Sequence, residues 1–122
     1  MFCTNVPYYQ PIHLAADTGD VHLVETEGDT FPLGILEDVE YVDTHLTLNP
    51  GDTVVFYTDG IVEAMNAEEE LFGFERLDDV IQNSTDLSAQ ELLDKILDQV
   101  NTFAAGTDQH DDITVIIIKV AA

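Results

Sequence analysis

Cysteine is almost missing from this sequence of 122 residues: Cys3 stands alone. A single thiol excludes an intrachain disulfide and any zinc site built on several cysteine thiolates. Basic residues are nearly as scarce, with 3 Lys and Arg against 25 Asp and Glu, for a net charge of −22. Such a field repels phosphate backbones and anionic lipid, because both are bound through cationic side chains. A nucleic-acid or membrane-surface role is therefore not expected. Long apolar runs are lacking too, and none approaches the ~20 residues of a membrane span. The first ten residues, with Thr4, Asn5, Pro7 and Tyr8, have neither the basic start nor the apolar stretch of a signal peptide. A reducing, cytoplasmic location is the expectation. There is no internal repeat, no low-complexity linker, no EF-hand spacing, no phosphate-cradling glycine loop and no serine in a nucleophile-elbow context.

What is present is enough apolar material for a core, since 45% of the residues are hydrophobic. Together with the length, this predicts one ordered domain over residues 1–122 and argues against intrinsic disorder. The acid is spread along the chain instead of gathered in one tail. A solvated acidic surface accounts for it; adaptation to high salt, or a face for a basic partner, are the other readings.

The pattern of residues predicts the following elements. Residues 1–11 are irregular. Ile12–Ala15 and Val21–Val24 flank the turn residues Asp17, Thr18, Gly19 and Asp20, which predicts a β-hairpin. Phe31–Leu36, punctuated by Pro32 and Gly34, is expected as a packed loop. Val42 to Leu48 alternates, with Val42, Thr44, Leu46 and Leu48 on one face of a half-buried strand. Asn49, Pro50, Gly51 and Asp52 form a turn. Thr53–Thr58 is a short β-prone run of the kind buried on both faces. A short helix is expected over Ile61–Ala67, limited by Asn66, and a second through Phe74, Leu77, Val80 and Ile81, broken at Asn83, Ser84 and Thr85. Ser88 and Glu91 make a capping box for a longer helix whose apolar stripe is Leu92, Leu93, Ile96, Leu97, Val100 and Phe103, with Gly106 as its stop. Ile113–Val120 is almost wholly β-branched and is expected as a central strand, since at an edge it would invite aggregation. The order predicts an α+β fold of layered antiparallel sheet and helices.

Two acidic sites sit at the ends of the most buried strands. Asp59 and Gly60 follow Thr58 directly, and Asp111 and Asp112 precede Ile113. If the two strands are antiparallel neighbours, Asp59 and Asp111 face each other at the sheet end. Crowded carboxylates repel one another and resist desolvation, and a divalent cation relieves both problems. Hard oxygen ligands suit Mg²⁺ or Mn²⁺. Gly60 permits a close backbone approach. Spacing alone leaves the plainer reading open, in which Asp59 is a turn residue and Asp111 and Asp112 belong to a solvated loop. His110 is a further candidate ligand or a solvated loop histidine. His13, His22 and His45 are expected at exposed strand positions, and Glu68–Glu70 as a solvated face. Asn83, Ser84 and Thr85 have the glycosylation pattern, which a cytoplasmic chain does not use.

The run Leu48 to Ala64, which holds Phe56-Tyr57-Thr58-Asp59-Gly60, resembles the SpoIIE-like phosphatases of the PPM superfamily. Glu70–Leu77, the closing Asp111–Val115 and the upstream Phe31–Ile35 continue the likeness in the family's order, which extends from about residue 20 to 120. The resemblance implies a β-sandwich flanked by helices, and a metal-dependent protein serine/threonine phosphatase that uses Mg²⁺ or Mn²⁺. It implies that Asp59 and Asp111 are metal ligands, with Gly60 contributing through its backbone and Asp112 supporting from behind. A metal-activated water then attacks phosphoserine or phosphothreonine directly. The partner it implies is a phosphorylated regulatory protein of the anti-sigma-factor-antagonist type.

The sequence departs from that family at its start. The Gly-Asp motif whose aspartate bridges two metals is missing, since Gly19-Asp20 and Gly28-Asp29 lie in turns too close to the later motifs. The Ala-Gly-His segment is missing as well, with Thr4–Pro7 in its place. The chain thus matches the C-terminal half to two-thirds of the domain. On its own it is expected to hydrolyse phosphate esters poorly, and to form homodimers through exposed sheet edges. Two other functions fit the residues: a non-catalytic phosphatase-like module that binds a signalling partner, and an acidic domain that binds divalent cations without chemistry.

Overall fold

A computed structural model describes residues 2–3, 10–25, 36–38, 40, 42–107 and 112–121. Strands β1 (Phe2–Cys3), β2 (Ile12–Leu14), β3 (Val21–Leu23), β4 (Thr44–His45) and β5 (Thr53–Tyr57) come first. Helices α1 (Asp59–Val62), α2 (Gly73–Gln82) and α3 (Ala89–Phe103) follow, and strand β6 (Val115–Lys119) closes the chain. Four strands form an antiparallel sheet in the order β3-β2-β5-β6, while β1 and β4 pair separately.

The hairpin forms where turn chemistry placed it. Gly19 adopts φ +74°, a left-handed conformation that costs glycine little, and its amide donates to the Ala15 carbonyl. The register sets Ile12 opposite both Leu23 and Val55, and Val55 opposite Ile117. Side chains alternate faces along a strand. One face of the sheet therefore carries Ile12, Leu14, Val55, Tyr57, Val115 and Ile117, all within or packed against the main core. Leu77 and Ile81 of α2 and Leu92, Ile96 and Val100 of α3 cover that face. The helical spacing supplies these stripes, and the Ser88–Glu91 capping box is present with both bonds at 3.1 Å. Among the described residues no helix is long and apolar enough to cross a membrane.

Several expectations change. Within Val42–Leu48 only Thr44 and His45 are strand, paired with Cys3 and Phe2; Thr44, Leu46 and Leu48 are half-buried as expected, but Val42 is exposed. The first helix spans Asp59–Val62 in place of Ile61–Ala67. Beyond it, the Asn66 side chain accepts the amides of Glu68 and Glu70, turning the chain so that Met65 bridges to Leu71. Glu68, Glu69 and Glu70 are all exposed as expected, with the Asn66 amide donating to the Glu70 carboxylate. Of the segment 31–36 only Leu36 is described, and it is exposed.

The last strand departs furthest. Among the described residues β6 has one neighbour, β5, and so lies at the edge of the sheet instead of its centre. Ile116 and Ile118 are 56% and 41% exposed, on the face away from the helices. Uniform hydrophobicity suggested burial on both faces, but only the odd-numbered positions face the core.

Candidate functional site

The candidate site is built at the end of β5 farthest from its entering turn. Thr53, Val54, Val55 and Tyr57 are buried, which anchors the strand up to Thr58. Thr58 then takes an extended conformation, φ −109° and ψ 170°, and caps α1. Asp59 is the first residue of that helix, while Gly60, Ile61 and Val62 are buried beneath it. Asp59 is consequently held half-buried at the mouth of the core. Among the described residues no hydrogen bond or ion pair engages its carboxylate.

Antiparallel pairing of β5 with β6, Tyr57 opposite Val115, sets the start of β6 beside this turn. Four hydrogen-bond contacts close the junction, the longest being an alternative acceptor for the Thr58 hydroxyl, the Thr114 carbonyl at 3.5 Å. The Thr58 amide donates to the Thr114 carbonyl at 3.1 Å, and the Thr114 amide donates to the Thr58 hydroxyl at 3.0 Å. That hydroxyl reaches the Asp112 carbonyl at 3.3 Å. Gly60 packs against the same peptide: a Cβ there would overlap the Asp112 carbonyl group and stand 3.1 Å from Ile113 Cγ1. Glycine is required here by the approach of two backbones and not by a positive φ.

The structure thus brings Asp59, Gly60 and Asp112 into one junction. Asp111 and His110 lie outside the described residues. Asp112 is exposed and contributes its carbonyl to the junction. Among the described residues no group of three His, Cys, Asp or Glu side chains converges. The oxygen donors that are present, a carboxylate that meets no partner among the described residues beside a tight glycine turn, suit a hard divalent cation in kind.

A second polar cluster, which the sequence did not reveal, lies at the opposite end of β5. Asp52 is 1% exposed, and its carboxylate accepts the amides of Ala16 at 2.9 Å and Asn49 at 3.0 Å. His13 Nε2 lies 2.8 Å from Asp52 Oδ2, and His13 Nδ1 lies 2.9 Å from His22 Nε2. An ionised carboxylate only accepts, so His13 donates through Nε2, and a neutral His13 accepts from His22 at Nδ1. Burial pushes the Asp52 carboxyl up, but the amides of Ala16 and Asn49 and the His13 ring outweigh it and hold the pKa below 3.8. His13 is therefore buried, not exposed as its strand position suggested, whereas His22 and His45 are exposed. The only available signal was weak: an aspartate immediately before a fully buried strand, across from histidines on the neighbouring hairpin.

Comparison with known proteins agrees with this architecture. Residues 9–121 match the family described as Stage II sporulation protein E (SpoIIE). Protein IcfG of Synechocystis is 28% identical over 111 residues, covering 90% of this chain and 17% of IcfG. The SiaA-PP2C domain of Pseudomonas aeruginosa superposes with a TM-score of 0.74 at 19% identity, over 92% of this chain and 43% of that one. The Mn-presoaked phosphatase domain of SpoIIE from Bacillus subtilis gives 0.72 at 19% identity, over 99% of this chain and 50% of that one. The chain thus spans half or less of each of these proteins and shares the PPM phosphatase fold over that span. It belongs to the SpoIIE family.

Proposed function

We propose that this chain is the C-terminal portion of a metal-dependent protein phosphatase domain acting on phosphoserine or phosphothreonine in a regulatory protein. Asp59 and Asp111 would hold Mg²⁺ or Mn²⁺ through carboxylate oxygens, with the Gly60 backbone beside them. The observation that carries this reading is the antiparallel pairing of β5 and β6, which sets the Asp59 turn against the segment that leads out of Asp111. When bound, such an ion supplies a water of lowered pKa and offsets charge on the phosphoryl oxygens. The chain's own part is to orient Asp59 at the end of a rigid strand and to keep side-chain bulk out of the junction at Gly60.

The test is calorimetric titration of Mn²⁺ into wild type, Asp59→Asn and Asp111→Ala. The reading expects binding heat in wild type that both substitutions remove; equal heats in all three overturn it. Because the bridging Gly-Asp motif is missing, the chain alone is expected to show no Asp59-dependent hydrolysis of an aryl phosphate.

Self-association is part of the proposal. Among the described residues the outer edge of β6 has no neighbour, and the strand Val115–Lys119 contains no acid, so it adds no like-charge repulsion of its own to such a contact. Two copies pairing antiparallel through β6 would form a symmetric contact in which the outward Ile116 and Ile118 side chains line up across the joint. Sedimentation should show a dimer that Ile118→Lys dissociates, and a wild-type monomer at high concentration would refute it.

A further inference from the structure

The junction at the end of β5 depends on one side chain that is not itself a candidate ligand. The Thr58 hydroxyl accepts the Thr114 amide at 3.0 Å and lies 3.3 Å from the Asp112 carbonyl, so a single oxygen ties down both ends of the Asp112–Thr114 stretch. On the other strand it belongs to the residue preceding Asp59. The Thr58 backbone adds a further bond to the Thr114 carbonyl. The ladder pairing ends at Tyr57 and Val115, and Gly60 meets the Asp112 carbonyl with no room for a Cβ. Two tight backbone contacts therefore surround Asp59, and only one of them is a directional bond that a side chain makes.

We propose that Thr58 is a positioning residue: its hydroxyl locks the segment leading into β6 against the Asp59 turn and thereby sets the affinity of the junction for a divalent cation. This rests on the metal reading above and adds a residue that has no contact with the metal. A hydroxyl in this place supplies a donor and an acceptor from one atom, which valine, of the same shape, does not. Serine keeps both.

The experiment compares Mn²⁺ binding to wild type, Thr58→Val and Thr58→Ser by calorimetry, with amide hydrogen exchange at Thr114 measured without metal. Thr58→Val should weaken Mn²⁺ binding about 10- to 100-fold, the usual effect of removing a group that orients a ligand. The Thr114 amide should exchange faster in that variant. Thr58→Ser should restore both to within about twofold of wild type, which a loss of packing alone would not do. Mn²⁺ binding by Thr58→Val equal to wild type overturns the proposal, as does equal loss in valine and serine. Wild-type binding that is absent or insensitive to Asp59→Asn would instead remove the metal reading, and the role of Thr58 toward a cation with it. Normal Thr114 exchange in Thr58→Val would show that the lock itself is not made.

Discussion

Strand β5 carries an aspartate at each end, and the two live in opposite circumstances. Asp52, 1% exposed, is enclosed by the Ala16 and Asn49 amides and the His13 ring. Asp59 is half-buried, and among the described residues its carboxylate meets no partner. A buried carboxylate whose lone pairs are occupied by the protein holds structure together, and its removal leaves donors stranded. A carboxylate fixed in place by a rigid strand, yet left without protein partners, can serve a ligand. The same residue type flanking one strand thus meets two different surroundings.

The comparison can be broken most sharply at Asp52. Asp52→Ala should cost about 3 kcal/mol or more in urea unfolding, because it strands the Ala16 and Asn49 amides and the His13 ring at about 1–3 kcal/mol for each unsatisfied buried donor, while Mn²⁺ titration of the variant that remains folded is unchanged. Gly60→Ala should cost about 1–3 kcal/mol, because the new methyl collides with the Asp112 backbone, which has no flexible end to give way. A loss confined to a few tenths would mean that the junction is looser than its geometry.

The acid limb separates the two ends by sign. Asp52 has a folded pKa below 3.8, so over that window the unfolded chain binds more protons than the folded one. Its contribution is present above the ordinary carboxylate range and is lost as pH falls through the lowered folded value. Urea midpoints measured between neutral pH and acid should therefore fall less steeply for Asp52→Asn than for wild type in that range. Parallel curves would show that the cluster does not stabilise the ionised carboxylate. The smallest effect is expected at the other end: Asp59→Asn should change stability by no more than about 0.5 kcal/mol while removing Mn²⁺ binding. A large loss of stability there would make Asp59 a structural residue like Asp52.

Much of this was legible in the linear pattern. The hairpin around Gly19, the doubly buried β5, the Ser88–Glu91 box and the stripe of α3 rest on local preferences that neighbouring residues enforce. So did the neighbourhood of Asp59 and the start of β6, given two apolar strands with acids at their facing ends. Of the strand expected over Val42–Leu48 only Thr44–His45 forms, because alternation reports which side chains face a core and not how far a backbone ladder runs. Among the described residues β6 has one neighbour and not two, because hydropathy reports how apolar a strand is and not how many neighbours it has. The Asp52–His13–His22 chain was invisible because its members come from three elements, and only the register that sets His13 opposite both His22 and Val54 joins them.

The Asp-Gly turn after a buried strand, the capped helix and the acidic, cysteine-poor composition are properties of the sequence itself, since each depends on residues a few positions apart or on their sum. Which aspartate is enclosed and which stands open is a property of the tertiary structure alone. It depends on which backbone amides and rings arrive at each end of β5, and those arrive from hairpins and strands distant along the chain.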